Sequence, residues 1–215
     1  IMWDCNYRHN LEIRKIIEAI ISSDEVDHAS AEFLDFEVYA KRVFFANGIH
    51  HHYSNVKFEA NFDQQWFLKT IEELGGSLSE EAQRAIFDPE FDAKKVNRAD
   101  GVDLLLASAV NFYAPDVTQL EAEAFYAAKV DADPARPLSH GLNSRLSRDE
   151  EGHLYEEVFS ADGRYSKSIN QIIGHLEQAK NVAENEGQAV ALGLLIAYYQ
   201  TGDLNKWDDY NIAWV

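Results

Sequence analysis

The chain has 215 residues, of which 46% are hydrophobic and 12% aromatic, enough for one sizeable core or two small ones and too apolar for whole-chain disorder. Its 19 Lys and Arg against 37 Asp and Glu leave a formal charge of -18, which opposes phosphate backbones and anionic headgroups and makes nucleic acid and membranes poor partners. An acidic surface of this kind attracts cationic ligands such as peptide amino termini.

In chain order, Asn10 is placed to cap a helix in which Leu11, Ile13, Ile16, Ile17, Ile20 and Ile21 recur at helical spacing before Ser22-Ser23-Asp24 ends it. A second helix runs through Phe36, Tyr39, Val43 and Phe44, with Gly48 at the position of a left-handed C-terminal cap. Residues 50–62 lack helical period and read as extended chain or a strand. Asp63 caps a third helix, with Trp66, Phe67, Ile71 and Leu74 inward and Gly75-Gly76 closing it.

A short helix over residues 79–87 and a loop over 89–97 precede an apolar stretch, 102–113, that reads as a helix broken by Pro115. Thr118 with Glu121 forms a capping box for a helix through Leu120, Ala124, Phe125 and Ala128. Residues 131–138, with Pro134 and Pro137, form the best linker.

The alternating segments 142–146 and 154–159 flank Asp149-Glu150-Glu151-Gly152 and predict a β-hairpin that needs partners from elsewhere in the fold. Ser166 then caps a long helix with Ile169, Ile172, Ile173 and Leu176 inward, and a last helix over 188–200 stops at Gly202. The expected fold class is α+β, predominantly helical, with a small β element made of the hairpin at 142–159 and the extended segment at 50–62.

Neither a basic-then-apolar leader nor an apolar run of spanning length occurs in the sequence. Residue 1 is Ile, and Tyr210-Asn211-Ile212-Ala213-Trp214-Val215 has no polar tail, so both ends read as cuts through a longer chain. Residues 1–215 are accordingly expected to be one domain or fragment with an internal linker at 131–138.

Chemistry-bearing motifs are sparse. Cys5, the single cysteine, excludes an intrachain disulfide and suits a reducing compartment. Lying near Arg8 and His9, it reads as an inert side chain rather than an activated thiol. No His-Glu-x-x-His, Gly-x-Ser-x-Gly or phosphate-binding glycine loop is present.

Glu80-Glu81-Ala82-Gln83-Arg84-Ala85 nearly spells a zinc-ligand helix. Its extra residue before the arginine rotates the rest of the helix by about 100°, so it reads as a solvated surface helix. If His50-His51-His52 is extended, His50 and His52 share a face and offer at most two imidazoles, with Glu59 or Asp63 needed to complete a metal site. Packing and hydrogen bonding beside a surface groove is the commoner role for such a triplet. Among Phe44, Phe45, Tyr53, Phe58, Phe62, Trp66 and Phe67 most rings must be core, and Tyr53, flanked by polar Ser54 and Asn55, is the one expected to face a ligand.

Several blocks in order carry a resemblance: Asn10-Leu11-Glu12-Ile13-Arg14-Lys15; Tyr39-Ala40-Lys41-Arg42-Val43-Phe44-Phe45-Ala46-Asn47-Gly48-Ile49-His50-His51-His52-Tyr53; Val96-Asn97-Arg98-Ala99-Asp100-Gly101; and Gly141-Leu142-Asn143-Ser144-Arg145-Leu146. It extends to residues 176–185 and 199–202. These blocks resemble the bacterial branch of the dipeptidyl peptidase III family, zinc metallopeptidases of family M49.

The resemblance implies a two-lobed enzyme with a wide cleft, of which this chain is part of the non-catalytic, mixed α/β-barrel lobe. It implies no cofactor in this segment. The family's zinc signatures, His-Glu-x-x-Gly-His and Glu-Glu-x-Arg-Ala-Glu or Asp, are absent, so zinc is expected in a catalytic lobe not included here. Tyr53, with Asn47 and His52, is the implied substrate contact; no catalytic residue and no metal ligand is assigned. The implied partners are short peptide substrates and the catalytic lobe of the same polypeptide; the single cysteine makes the cytoplasm the expected compartment. A stand-alone peptide-binding or protein-binding module without catalysis is the rival reading.

Overall fold

A computed structural model describes residues 9–129 and 133–215. Cys5 and Arg8, and residues 131 and 132 of the linker, lie outside the described residues. Among those described are eight helices and one two-stranded antiparallel sheet, the mostly helical α+β class expected. The chain divides into two compact units, Ile1–Asn111 and Phe112–Val215.

In the first unit, α1 (Asn10–Ser22) buries Ile13, Ile17 and Ile20, one helical face at the spacing the sequence predicts. Its cap differs from expectation. His9 occupies the N-cap with no side-chain cap bond, and Asn10 is already helical and buried. Helix α2 (Ala31–Ala46) starts at Ser30, whose side chain accepts from the Phe33 N–H. Helix α3 (Gln64–Glu73) starts at Asp63, whose Oδ1 accepts from the Trp66 N–H at 2.7 Å. Helix α4 (Glu80–Phe87) starts at Ser79, which also donates its hydroxyl to Glu12 Oε2 at 2.9 Å and so ties α4 to α1. Phe62 packs its ring against Phe36 at 5.5 Å, Phe67 at 5.2 Å and Phe87 at 5.5 Å, at the centre of this core. Such ring pairs add specific geometry to large apolar burial.

The helix expected over residues 102–113 does not form. Asp103 Oδ1 accepts from the N–H groups of Leu105 and Leu106, and the Ala107 N–H reaches the Asp103 carbonyl, giving one turn. Ser108 then donates its hydroxyl to the Leu104 carbonyl while accepting from the Asn97 N–H, which redirects the backbone after that turn. Apolar composition without a helical stripe was a misleading signal: Val102, Leu106 and Phe112 are exposed.

In the second unit, α5 (Gln119–Ala127) opens with the expected capping box of Thr118 and Glu121. Strands β1 (Ser144–Arg148) and β2 (Leu154–Val158) pair antiparallel with Leu146 opposite Glu156. The partner a lone hairpin needs is supplied beside β1, where Tyr113 makes a parallel bridge to Leu146. Helices α6 (Ser166–Asn181) and α7 (Glu186–Thr201) follow. Tyr165, not Ser166, is the α6 N-cap; α7 ends at left-handed Gly202, φ 72°, as expected.

Helix α8 (Leu204–Trp214) was not expected. Asp203 caps it by accepting from the Asn205 N–H, and the Trp207 ring packs tilted against Tyr198 at 5.1 Å. No helix among the described residues is long and apolar enough to cross a membrane.

Candidate functional site

The segment that carries Tyr53 is built from the end of α2. Asn47 adopts the left-handed conformation there (φ 57°, ψ 38°), donating its N–H to Phe44 O, while the Gly48 N–H donates to Val43 O at 3.0 Å. Those two bonds satisfy two of the last four carbonyls of the helix, Val43 O and Phe44 O. The expected left-handed cap, Gly48, therefore sits one residue beyond the actual one. Gly48 has φ 154°, a conformation L side chains rarely adopt, and a Cβ on it would lie 3.0 Å from Asn10 Nδ2.

Within residues 50–62, expected as extended chain or a strand, a tight turn over 51–55 is followed by non-helical chain with isolated bridges and no regular strand. The His51 N–H donates to Val56 O at 2.8 Å and the Phe58 N–H to Ile49 O at 2.9 Å. His51 Nδ1 accepts from the N–H groups of Tyr53 at 3.3 Å and Ser54 at 3.2 Å, so the imidazole pins the turn from inside. The ring of Tyr53 is left 85% exposed at the tip, with the His52 ring edge-on to it at 5.0 Å. The exposure expected of Tyr53 is thus accounted for by local hydrogen bonding.

The three histidines part company. His50 is buried and its Nε2 lies 2.7 Å from the Asp92 carbonyl, whereas His51 and His52 are exposed. The shared face that an extended segment would have given His50 and His52 does not exist, because the backbone turns between them. Burial is the main cause that pushes the His50 pKa below its ordinary value. Lys57 donates from Nζ to the carbonyls of Asp88 and Phe91, and its pKa is lowered, again mainly by burial. His50 and Lys57 together fasten the 88–92 loop under the turn. Val56 makes a bridge to Lys94, and the Lys95 N–H donates to Asn55 O at 2.8 Å.

His52 and Tyr53 line one open groove together with Arg42, Phe45, His51 and Phe58. Asn47 lines a separate small hollow with Asn10, Gly48, His50 and Lys95. Arg42 and Phe45 are among the groove residues that the sequence reading did not assign to a site. The signal for Phe45 was available: it follows buried Phe36 by nine residues, about 180° around a helix, so it must point away from the core. Phe45 is 90% exposed.

Glu80 and Glu81 are exposed on the first turn of α4, and Arg84 pairs with Asp88 at 3.2 Å rather than serving a metal face. Among the described residues no three His, Cys, Asp or Glu side chains come together in a way that could hold a metal ion. The donors a catalytic zinc needs are not assembled by these side chains, His50 being committed to the Asp92 carbonyl.

A family model described as Peptidase family M49 matches residues 101–215, just over half of the chain and none of the 51–55 turn. None of the curated proteins matches it.

Proposed function

The chain belongs to peptidase family M49, and from that premise we propose that residues 1–215 form one wall of the substrate cleft of a zinc-dependent dipeptidyl peptidase acting on the amino termini of short peptides. In this reading Tyr53, His52 and Asn47 contact the bound peptide. Zinc belongs to a catalytic lobe of the same polypeptide outside these residues, and the segment alone hydrolyses nothing. The family is zinc-dependent in general and its substrates are peptides. A bacterial, cytoplasmic enzyme is the form of the family this reading assigns.

The observation that carries the proposal is an aromatic side chain held out on a hydrogen-bonded turn beside a groove. A tyrosine so presented offers rigid contact area at low conformational cost. The turn is closed by its own hydrogen bonds and braced by Lys57, His50 and the 88–92 loop, so the backbone that carries the ring is set before any ligand arrives.

The test is calorimetric titration of the chain with short peptides. Binding that weakens about tenfold in Tyr53→Ala, the loss typical of an aromatic anchor, supports the contact; unchanged affinity removes Tyr53 from the site. Turnover of a dipeptidyl-naphthylamide substrate by the chain alone with added zinc would refute the assignment of catalysis to another lobe.

A second reading, a peptide-binding module without catalysis, is favoured by one fact: the groove lies wholly outside the residues the family model matches. The reading frame after Val215 separates the two. A downstream His-Glu-x-x-Gly-His supports the peptidase, and an immediate stop codon the module.

A further inference from the structure

Resting on the peptide reading above, we propose that Arg42 makes the groove selective for peptides in which a carboxylate lies next to an apolar or aromatic side chain. The chain carries a formal charge of -18, yet the two hollows flanking the 51–55 turn are lined by cations: Lys41 and Arg42 on the α2 side, Lys94 and Arg98 on the other. The residues that line these hollows include cations and no carboxylate, the reverse of the chain's overall balance.

The four cations are not equivalent. Lys41 Nζ is paired with Glu37 at 2.7 Å, one helical turn back. Arg42 is exposed and has no carboxylate at ion-pair distance among the described residues. A guanidinium in so acidic a protein has many carboxylates to choose from, and an unpaired one on a groove keeps its planar fork of donors for an incoming group. That fork matches a carboxylate in bidentate geometry.

Beside it, Phe45 and Tyr53 are 90% and 85% exposed. Two rings so uncovered offer an apolar neighbour of that carboxylate a surface to lie on. Charge complementarity thus commits the groove to an anionic, partly apolar ligand. The amino-terminal ammonium that the overall acidity attracts is repelled from this particular spot. Nucleic acid, also anionic, is opposed by the chain's whole field.

The experiment titrates the 215-residue chain at low salt with two short peptides that differ only in Glu or Gln beside a phenylalanine. The Glu peptide is expected to bind about fivefold tighter, the scale of one exposed ion pair. In Arg42→Met, which keeps the aliphatic stem, the difference between the two peptides closes; Arg42→Lys retains part of it. Equal affinities in the unsubstituted chain overturn the role of Arg42 and leave the peptide reading standing. Binding of neither peptide overturns both. A short oligonucleotide that binds more tightly than the Glu peptide overturns the inference in favour of a phosphate ligand.

Discussion

Lys57 and Phe91 are joined across 34 residues by a hydrogen bond from the ammonium group to the backbone carbonyl, 2.5 Å long. The same ammonium also serves the Asp88 carbonyl, so one side chain holds both ends of the loop that supports the Tyr53 turn. Lys57→Met keeps the aliphatic stem but takes the ammonium donor from two part-buried carbonyls, of which Asp88 O retains the Phe91 N–H at 3.3 Å. The expected cost is about 1–3 kcal/mol, seen as a lower urea midpoint, with peptide affinity falling alongside. An unchanged midpoint would mean that the loop is held by its backbone bonds alone.

His50 gives the first unit a dependence on pH of known sign. Its folded-state pKa is depressed below the ordinary value of 6.5, chiefly by burial, with the charges of Lys57 and Lys95 acting the same way and Asp92 opposing them. The neutral ring is the form the fold prefers, so its contribution is complete above the unfolded value and is lost as pH falls through the folded one. Thermal midpoints should therefore drop below pH 6.5, before carboxylates with an ordinary value of 4.5 begin to protonate. His50→Gln, which keeps an N–H for the Asp92 carbonyl, should flatten that slope. A slope unaltered by the substitution would assign it elsewhere.

Asn47 caps α2 in a left-handed conformation and is also a proposed peptide contact, and two substitutions separate these roles. Asn47→Ala puts a Cβ residue without a local hydrogen-bonding side chain at that conformation and should cost about 1–2 kcal/mol. Asn47→Gly adopts it freely. The glycine variant should keep its melting temperature yet bind peptide severalfold more weakly; unchanged affinity would restrict Asn47 to capping.

Gly202 is the tightest glycine of the second unit. Its φ is 72°, a Cβ there would stand 2.2 Å from Val158 Cγ1, and its carbonyl accepts from Asn143 Nδ2 at 2.9 Å. Gly202→Ala should destabilise by at least about 2 kcal/mol, from strain and overpacking together. Adding Val158→Ala should recover the overpacking share but not the strain, a non-additivity that a double-mutant cycle in urea measures. Simple additivity would show that the two side chains do not meet.

Local signals were the legible ones. Asp63 and the Thr118–Glu121 box announced their helices because an N-cap is a bond between near neighbours, and Gly202 announced the end of α7 for the same reason. Residues 102–113 misled because apolar content was read without a stripe, and Ser108 diverted the backbone through a bond to Asn97 that no local pattern reveals. At the site, the exposure of Tyr53 was readable from its polar neighbours. The burial of His50 was not, since it depends on Asp92, 42 residues away. Arg42 entered the groove only once α2 and the 51–55 turn were brought side by side.

The Asn47–Gly48 pair also sets a clock of chemical ageing. Deamidation at such a dipeptide begins when the glycine nitrogen attacks the asparagine side-chain carbonyl, expelling ammonia to form a succinimide that water opens to aspartate or isoaspartate. Here that nitrogen is engaged with Val43 O at 3.0 Å, so the folded cap shields the very bond from which the damage starts. Any change that frays the end of α2 would let the protein acquire an extra negative charge, and in the isoaspartyl form an extra backbone methylene, in the small hollow that Asn47 lines with Asn10, His50 and Lys95.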